Sequence, residues 1–259
     1  MLQITPLPAF EDNYIWLLTN PDAAVHVAVD PGDETPVLSW LQEHGGSLAG
    51  ILITHHHYDH IGGVPELLVS FPGIPVFGPA KSRINGVNRP VREGEQIEIP
   101  GLGSRFTVME LPGHTAGHVA YLTEQALFCG DTLFAGGCGR VFDGTFEQLS
   151  ASLRRIATLP SDTLIYCAHE YTLANLGFAA WVEPDSQALL RRTREERMKR
   201  KRGESTLPSR LDLELATNPF LRTAEPGVIQ AAERYAGRPL PGHSAVFTAL
   251  RTWKDREYD

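Results

Sequence analysis

Apolar residues in the first two thirds of the chain come in short runs broken by Gly, Pro and Asp. Residues 14–18 and 25–29 are rich in β-branched and aromatic side chains. Pro21 and Asp22 separate them, and Asp30, Pro31 and Gly32 close the second, so they read as two strands joined by a turn. Val37, Leu38 and Leu41 instead recur at helical spacing, which predicts a helix over 35–44 stopped by Gly45 and Gly46. Further strands are expected at 50–54, 74–77, 96–99, 106–111, 118–122, 126–129 and 163–167, with helices at 62–70 and 146–159. Beyond 170 the rhythm changes: 171–182, 186–202, 226–236 and 243–258 all read as helices, with no clear strand between them. The pattern predicts an α/β domain over residues 1–172 followed by a small helical domain over 173–259.

Several predicted strands run straight into histidine or aspartate. The strand at 50–54 leads into Thr54, His55, His56, His57, Tyr58, Asp59 and His60. Side chains alternate in extended backbone, so His55 and His57 share a side and His56 faces away. Asp59 and His60 follow a turn and can face a second point nearby. Gly113 and Gly117 frame a loop offering His114 and His118, of which His114 is the favoured ligand. Asp131 follows the strand at 126–129, and His169 follows the one at 163–167. Imidazole and carboxylate donors without thiolates suit an open, catalytic metal site better than a closed structural one. The spacing accommodates two sets, His55/His57/His114 and Asp59/His60/His169, with Asp131 shared. Two divalent cations outweigh two carboxylates, so a water bridging them is expected to ionise to hydroxide near neutral pH.

Charge sharpens the division. The net charge of the 259 residues is -8. The stretch 1–169 has 8 Lys/Arg against 18 Asp/Glu, whereas 170–259 has 15 against 13, so the C-terminal part is expected to handle something anionic. The overall balance argues against a general nucleic-acid binder. The basic run 191–202 raises that class again, but no aromatic residue is interleaved in it for base stacking. Cys129, Cys138 and Cys167 are odd in number and form no C-x-x-C, which fits a reducing compartment. With neither a leader pattern nor a long apolar run, a cytoplasmic monomer with no membrane partner is expected.

The segment Thr54, His55, His56, His57, Tyr58, Asp59, His60, Ile61, Gly62, Gly63 resembles the T-H-x-H-x-D-H-x-G-G signature of the metallo-β-lactamase superfamily. That resemblance implies an αββα sandwich. Stretches 10–16, 29–32, 111–118, 130–134, 137–140, 169–171 and 217–220 further resemble the glyoxalase II family, which has a helical C-terminal domain. The implied activity is hydrolysis of S-D-lactoylglutathione to glutathione and D-lactate, a step of methylglyoxal detoxification. The implied nucleophile is a hydroxide bridging two divalent ions, zinc first, with iron or manganese as alternatives. The family pattern selects His114 over His118 and supports all seven ligands. It also places glutathione contacts at Arg140, Tyr171, Arg251 and Lys254. Relatives often carry Tyr where this chain has Phe142, which leaves Phe142 a packing or main-chain contact. The rival within the superfamily is a persulfide dioxygenase, whose pattern lacks the helical extension with the distal basic pair.

Overall fold

The computed structural model describes residues 2–258, which divide into two compact units. The first comprises the chain up to Glu110 together with Ala116–Gly130; the second comprises Leu111–Thr115 and the chain from Asp131 onward.

In the first unit, β1 (Gln3–Ala9), β2 (Asn13–Asn20), β3 (Val25–Val29), β4 (Ser47–Leu52), β5 (Val76–Pro79) and β6 (Arg89–Val91) form one sheet in that order. Its first two pairings are antiparallel and the rest parallel. Ile15 and Leu17 of β2 join Ala28, Ile51 and Val76 in a core. Helices α1 (Thr35–His44) and α3 (Val64–Ser70) contribute Val37, Leu41, Val64 and Leu67 to it. Trp16, Leu18, Val27, Val29 and Leu52, on the alternate positions, are also buried. Burial on both faces explains why these strands read as unbroken apolar runs. The helix expected at 62–70 is α3, which starts two residues later, and a short helix that was not expected, α2 (Tyr58–Ile61), precedes it. Pro65 occupies the opening turn of α3, where its missing N–H costs no internal bond. Strands β7 (Gln96–Glu98), β8 (Arg105–Glu110), β9 (Val119–Leu122) and β10 (Ala126–Gly130) make an antiparallel meander. It is tied to the first sheet by Tyr121 Oη donating to the Ile53 carbonyl at 2.8 Å, and by Val119 N–H donating to the Thr54 carbonyl at 2.9 Å.

The second unit begins with a small hairpin, β11 (Leu133–Phe134) and β12 (Gly137–Cys138). Helix α4 (Phe146–Ile156) opens on a capping box, in which Thr145 and Gln148 exchange side-chain-to-backbone hydrogen bonds. Strand β13 (Leu164–Cys167) is followed by α5 (Thr172–Val182) and α6 (Gln187–Lys201). The chain then forms β14 (Ser209–Arg210), α7 (Leu211–Thr217), α8 (Pro226–Ala236) and α9 (Gly242–Glu257). The helical pattern beyond 170 is thus correct in four places and incomplete in one. Residues 209–217 contain a two-residue strand paired with β13 and a two-turn helix, both too short to set up a period. Among the described residues, no helix is long and apolar enough to cross a membrane.

Candidate active site

In the first unit the turn that carries His55, His57, Asp59 and His60 is organised by Asp30. This residue follows β3 at φ 51° and was not singled out from the sequence. Its Oδ1 accepts from Thr54 N–H at 2.7 Å, and its Oδ2 accepts from Thr54 Oγ1–H at 2.7 Å. Having donated its proton to Asp30, the Thr54 hydroxyl can only accept from His55 Nδ1, 3.1 Å away. His60 Nδ1 lies 3.1 Å from Asp30 Oδ2, and an ionised carboxylate accepts only. Both rings therefore carry their proton on Nδ1 and present a lone pair at Nε2. His55 Nε2 sits 3.0 Å from His57 Nδ1, and His60 Nε2 sits 3.5 Å from Asp59 Oδ2. Asp59 is itself oriented by Asn13 Nδ2, which donates to its Oδ2 at 3.0 Å. A Cβ on Gly32 would fall 1.9 Å from the Asp59 carbonyl oxygen, so the Pro31-Gly32 turn can pack beneath Asp59 only with glycine. His118 is buried and stacks on His55 at 4.9 Å between ring centroids. The signal that could have found Asp30 is its place at a strand end before Pro-Gly, the same kind of place as Asp131.

In the second unit His114, Asp131 and His169 converge. His114 Nδ1 is 2.7 Å from the Arg140 carbonyl, which only accepts, so this ring too is protonated at Nδ1 and directs Nε2 toward Asp131. His114 Nε2 lies 3.5 Å from Asp131 Oδ2, while His169 Nε2 lies 3.4 Å from Asp131 Oδ1. One buried carboxylate thus faces a different imidazole with each oxygen.

The expected substrate contacts also lie in this unit. Tyr171 stacks on His169 with centroids 4.7 Å apart and planes 5° from parallel. The Phe134 ring stands edge-on to both. Phe142 is 65% exposed; its ring meets His114 edge-on and its N–H donates to the His114 carbonyl at 2.9 Å. Arg140 is exposed, with Nε 3.9 Å from Asp255 Oδ1. Arg251 and Lys254 lie three apart on α9, and both are buried. Arg251 is fully buried and donates from Nη1 to the Cys138 carbonyl at 3.1 Å. Its Nη2 lies 2.9 Å from Asp255 Oδ1. Lys254 is buried too, with Nζ 5.8 Å from the centre of the Tyr258 ring.

Among the described residues, every group of His, Cys, Asp or Glu able to hold a metal ion draws its members from His55, His57, Asp59, His60, His114, Asp131 and His169. His56 and His118 are absent from these groups, and so are the thiols. Cys129, Cys138 and Cys167 are buried and form no disulfide, and burial pushes the Cys138 thiol up to about 11 and raises that of Cys167 as well. Thiols raised in this way, as Cys138 and Cys167 are, make poor ligands at neutral pH. The donor set is therefore imidazole and carboxylate only. It fits divalent ions at sites that keep room for water.

The model of the metallo-β-lactamase superfamily matches residues 13–169, and that of the hydroxyacylglutathione hydrolase C-terminus matches residues 170–257. A hydroxyacylglutathione hydrolase of Alkalilimnicola ehrlichii is 54% identical over 99% of this chain and 100% of its own length. One from Ectopseudomonas mendocina is 53% identical over 99% of this chain and 100% of its own. Among solved structures, the BLEG-1 B3 metallo-β-lactamase covers 85% of this chain and 99% of its own at 25% identity, with a TM-score of 0.63. ETHE1 from Myxococcus xanthus covers 66% of this chain and 76% of its own at 29% identity, with a TM-score of 0.58. The fold is that of the metallo-β-lactamases with a helical C-terminal region, and the chain belongs to the hydroxyacylglutathione hydrolase family of that superfamily.

Proposed function

We infer that the chain hydrolyses the thioester of S-2-hydroxyacylglutathiones, S-D-lactoylglutathione first, to glutathione and the free hydroxy acid. The observation that carries this reading is the full-length match to hydroxyacylglutathione hydrolases, which includes the helical region as well as the ligand-bearing one. We assign residues 1–172 to a catalytic domain and 173–259 to a helical, substrate-binding one.

The proposed metal ligands are His55, His57, Asp59, His60, His114, Asp131 and His169, holding two divalent ions with Asp131 shared. Zinc is the first choice, with iron or manganese as alternatives. Bound there, such ions would lower the pKa of water toward neutrality and polarise a carbonyl oxygen. The protein's own part is preorganisation. Asp30 and the Arg140 carbonyl hold protons on the Nδ1 atoms of His60, His55 (through Thr54) and His114, so these rings offer lone pairs without reorganising. Asn13 keeps one Asp59 oxygen occupied and fixes its orientation. The leaving group is a thiolate whose conjugate acid has a pKa of about 8.5, so little protonation of it is needed. That accounts for a mechanism without a Ser–His or Cys–His pair. Arg140, Tyr171, Arg251 and Lys254 are the proposed partners of the anionic glutathione moiety, with Phe142 a packing or main-chain contact. Arg251 supplies its charge from beneath the surface, because its guanidinium already holds Cys138 and Asp255. The chain is proposed to work as a cytoplasmic monomer.

The test is hydrolysis of S-D-lactoylglutathione by the purified protein before and after chelation, with metal analysis and a parallel persulfide assay. Loss on chelation and recovery on adding a divalent ion are expected. Full metal loading without thioester hydrolysis would overturn the reading.

A further inference from the structure

The hairpin β11–β12 is a hub for the proposed site. Its Phe134 ring packs edge-on against His169 and Tyr171. Its Cys138 carbonyl accepts from Arg251 at 3.1 Å. Two residues further on, the Arg140 carbonyl fixes the His114 ring. A two-by-two hairpin cannot hold such a position alone, since it has almost no ladder of its own.

What holds it is α7. Asn218, at the C-terminal end of that helix, donates from Nδ2 to the Gly137 carbonyl at 2.9 Å and to the Phe134 carbonyl at 3.2 Å. Glu214, one turn earlier, accepts the Gly136 N–H at 2.8 Å on Oε2, and the same oxygen lies 3.0 Å from Asn218 Nδ2. Both residues are fully buried. Glu214 is in turn held on Oε1 by Arg192 and by Ser209 Oγ. On the other side Asn175 Nδ2 donates to the Ala135 carbonyl at 3.2 Å, and a Cβ on Gly137 would lie 2.4 Å from Asn175 Cγ. The turn of the hairpin is gripped at every residue from 134 to 137.

We propose that Asn218 and Glu214 are positioning residues for thioester hydrolysis: they fix the β11–β12 hairpin and, through it, the groups that receive the glutathione moiety. They touch no reacting atom. Their action runs through backbone carbonyls and one amide, so it sets the place of Tyr171, Arg251 and Arg140 without altering the chemistry of those side chains. Part of the basic run 191–202 acquires a role by the same route, with Arg192 as the buried counter-ion of the clamp.

The inference rests on the glutathione thioester reading. Its test is Asn218→Ala in the metal-loaded full chain, with four readouts: kcat and KM for S-D-lactoylglutathione, the Kd of unreactive S-methylglutathione by calorimetry, metal content, and Tm. A shift of the binding groups by a fraction of an ångström is expected to raise KM and Kd together by about tenfold, with metal content unchanged. Thr217→Val is the control. It removes the hydroxyl that accepts from Arg192 at 2.6 Å but touches no hairpin atom, so it is expected to lower Tm and leave KM and Kd alone. Asn218→Ser, which keeps a single shorter donor, serves where the alanine variant does not fold, and an intermediate rise is expected. Asn218 variants that lower Tm while KM and Kd stay within about twofold of wild type overturn the proposal. Wild-type protein that fails to cleave the thioester defeats the functional reading. Wild-type cleavage with unaffected Asn218 variants defeats this inference alone.

Discussion

Removing either partner of the Arg192–Glu214 pair tests how the helical region is held together. Arg192 is 2% exposed and Glu214 is 0% exposed, so neither is screened by water. In Arg192→Met the stranded carboxylate still receives Gly136 N–H, Ser209 Oγ and Asn218 Nδ2. Its loss belongs at the low end of the range for breaking a buried pair, about 3 kcal/mol. In Glu214→Leu the guanidinium keeps only the Thr217 and Ser209 hydroxyls, at 2.6 and 3.1 Å, while Gly136 N–H loses its acceptor. That variant belongs at the high end, about 5 kcal/mol. The double variant strands no charge and is expected near the Glu214→Leu value, less destabilised than the sum of the singles by roughly 2–3 kcal/mol. Equilibrium urea unfolding followed by fluorescence and far-ultraviolet circular dichroism measures each term. A domain of this size should lose roughly 2–4 °C of Tm per kcal/mol. Two single variants that each cost under about 1 kcal/mol, and add, would refute the claim that this pair anchors the unit.

Asp30→Asn should cut turnover by one to two orders of magnitude and loosen metal binding about 10–100-fold, because an amide cannot accept from Thr54 and His60 as the carboxylate does; competition with a chromophoric chelator reads the second effect, and unchanged affinity would sink the tautomer argument. His26, held between Thr19 Oγ1 and the Gly45 carbonyl, has a pKa lowered mainly by burial and partly by nearby His44, against the raising effect of Gly45. The unfolded chain therefore binds the proton more readily, so stability is full above the ordinary histidine value of about 6.5 and falls as pH drops from there toward the lower folded value. The gap in Tm between wild type and His26→Gln should narrow between pH 7 and 5, and a constant gap would contradict it.

The sequence reveals an element when enough residues share one environment. The strand at 25–29 and the helix at 35–44 fall where the apolar pattern puts them, because the strand is buried on both faces and every third-to-fourth side chain of the helix enters a core. Strand β1 escapes that reading: Pro6 and Pro8 interrupt it, and half-buried positions blur its alternation. Within the site, the residues that stand out are those with unusual chemistry at short spacing, such as His55, His57, Asp59 and His60. Asp30 does not stand out, since its role depends on a partner 30 residues away. Arg192 is hidden for a different reason. It sits in a run of charges that looks solvated, and its burial follows from Glu214, which is 22 residues further on. The burial of the basic pair at 251 and 254 is hidden as well. Spacing on one helix face says that two side chains act together, but not whether that face meets water or protein.

The hairpin at 133–138 has a consequence for synthesis on the ribosome. Its turn is complete early, yet the donor for the Phe134 carbonyl lies 84 residues later, and the one for Cys138 lies 113 residues later. A nascent chain that already contains His55, His57, Asp59, His60, His114, Asp131 and His169 must wait for α7 and α9 before the segment carrying Arg140 can settle. Contacts of such separation are entropically slow to close. The seven proposed metal ligands therefore emerge well before α9, which carries two of the proposed glutathione contacts.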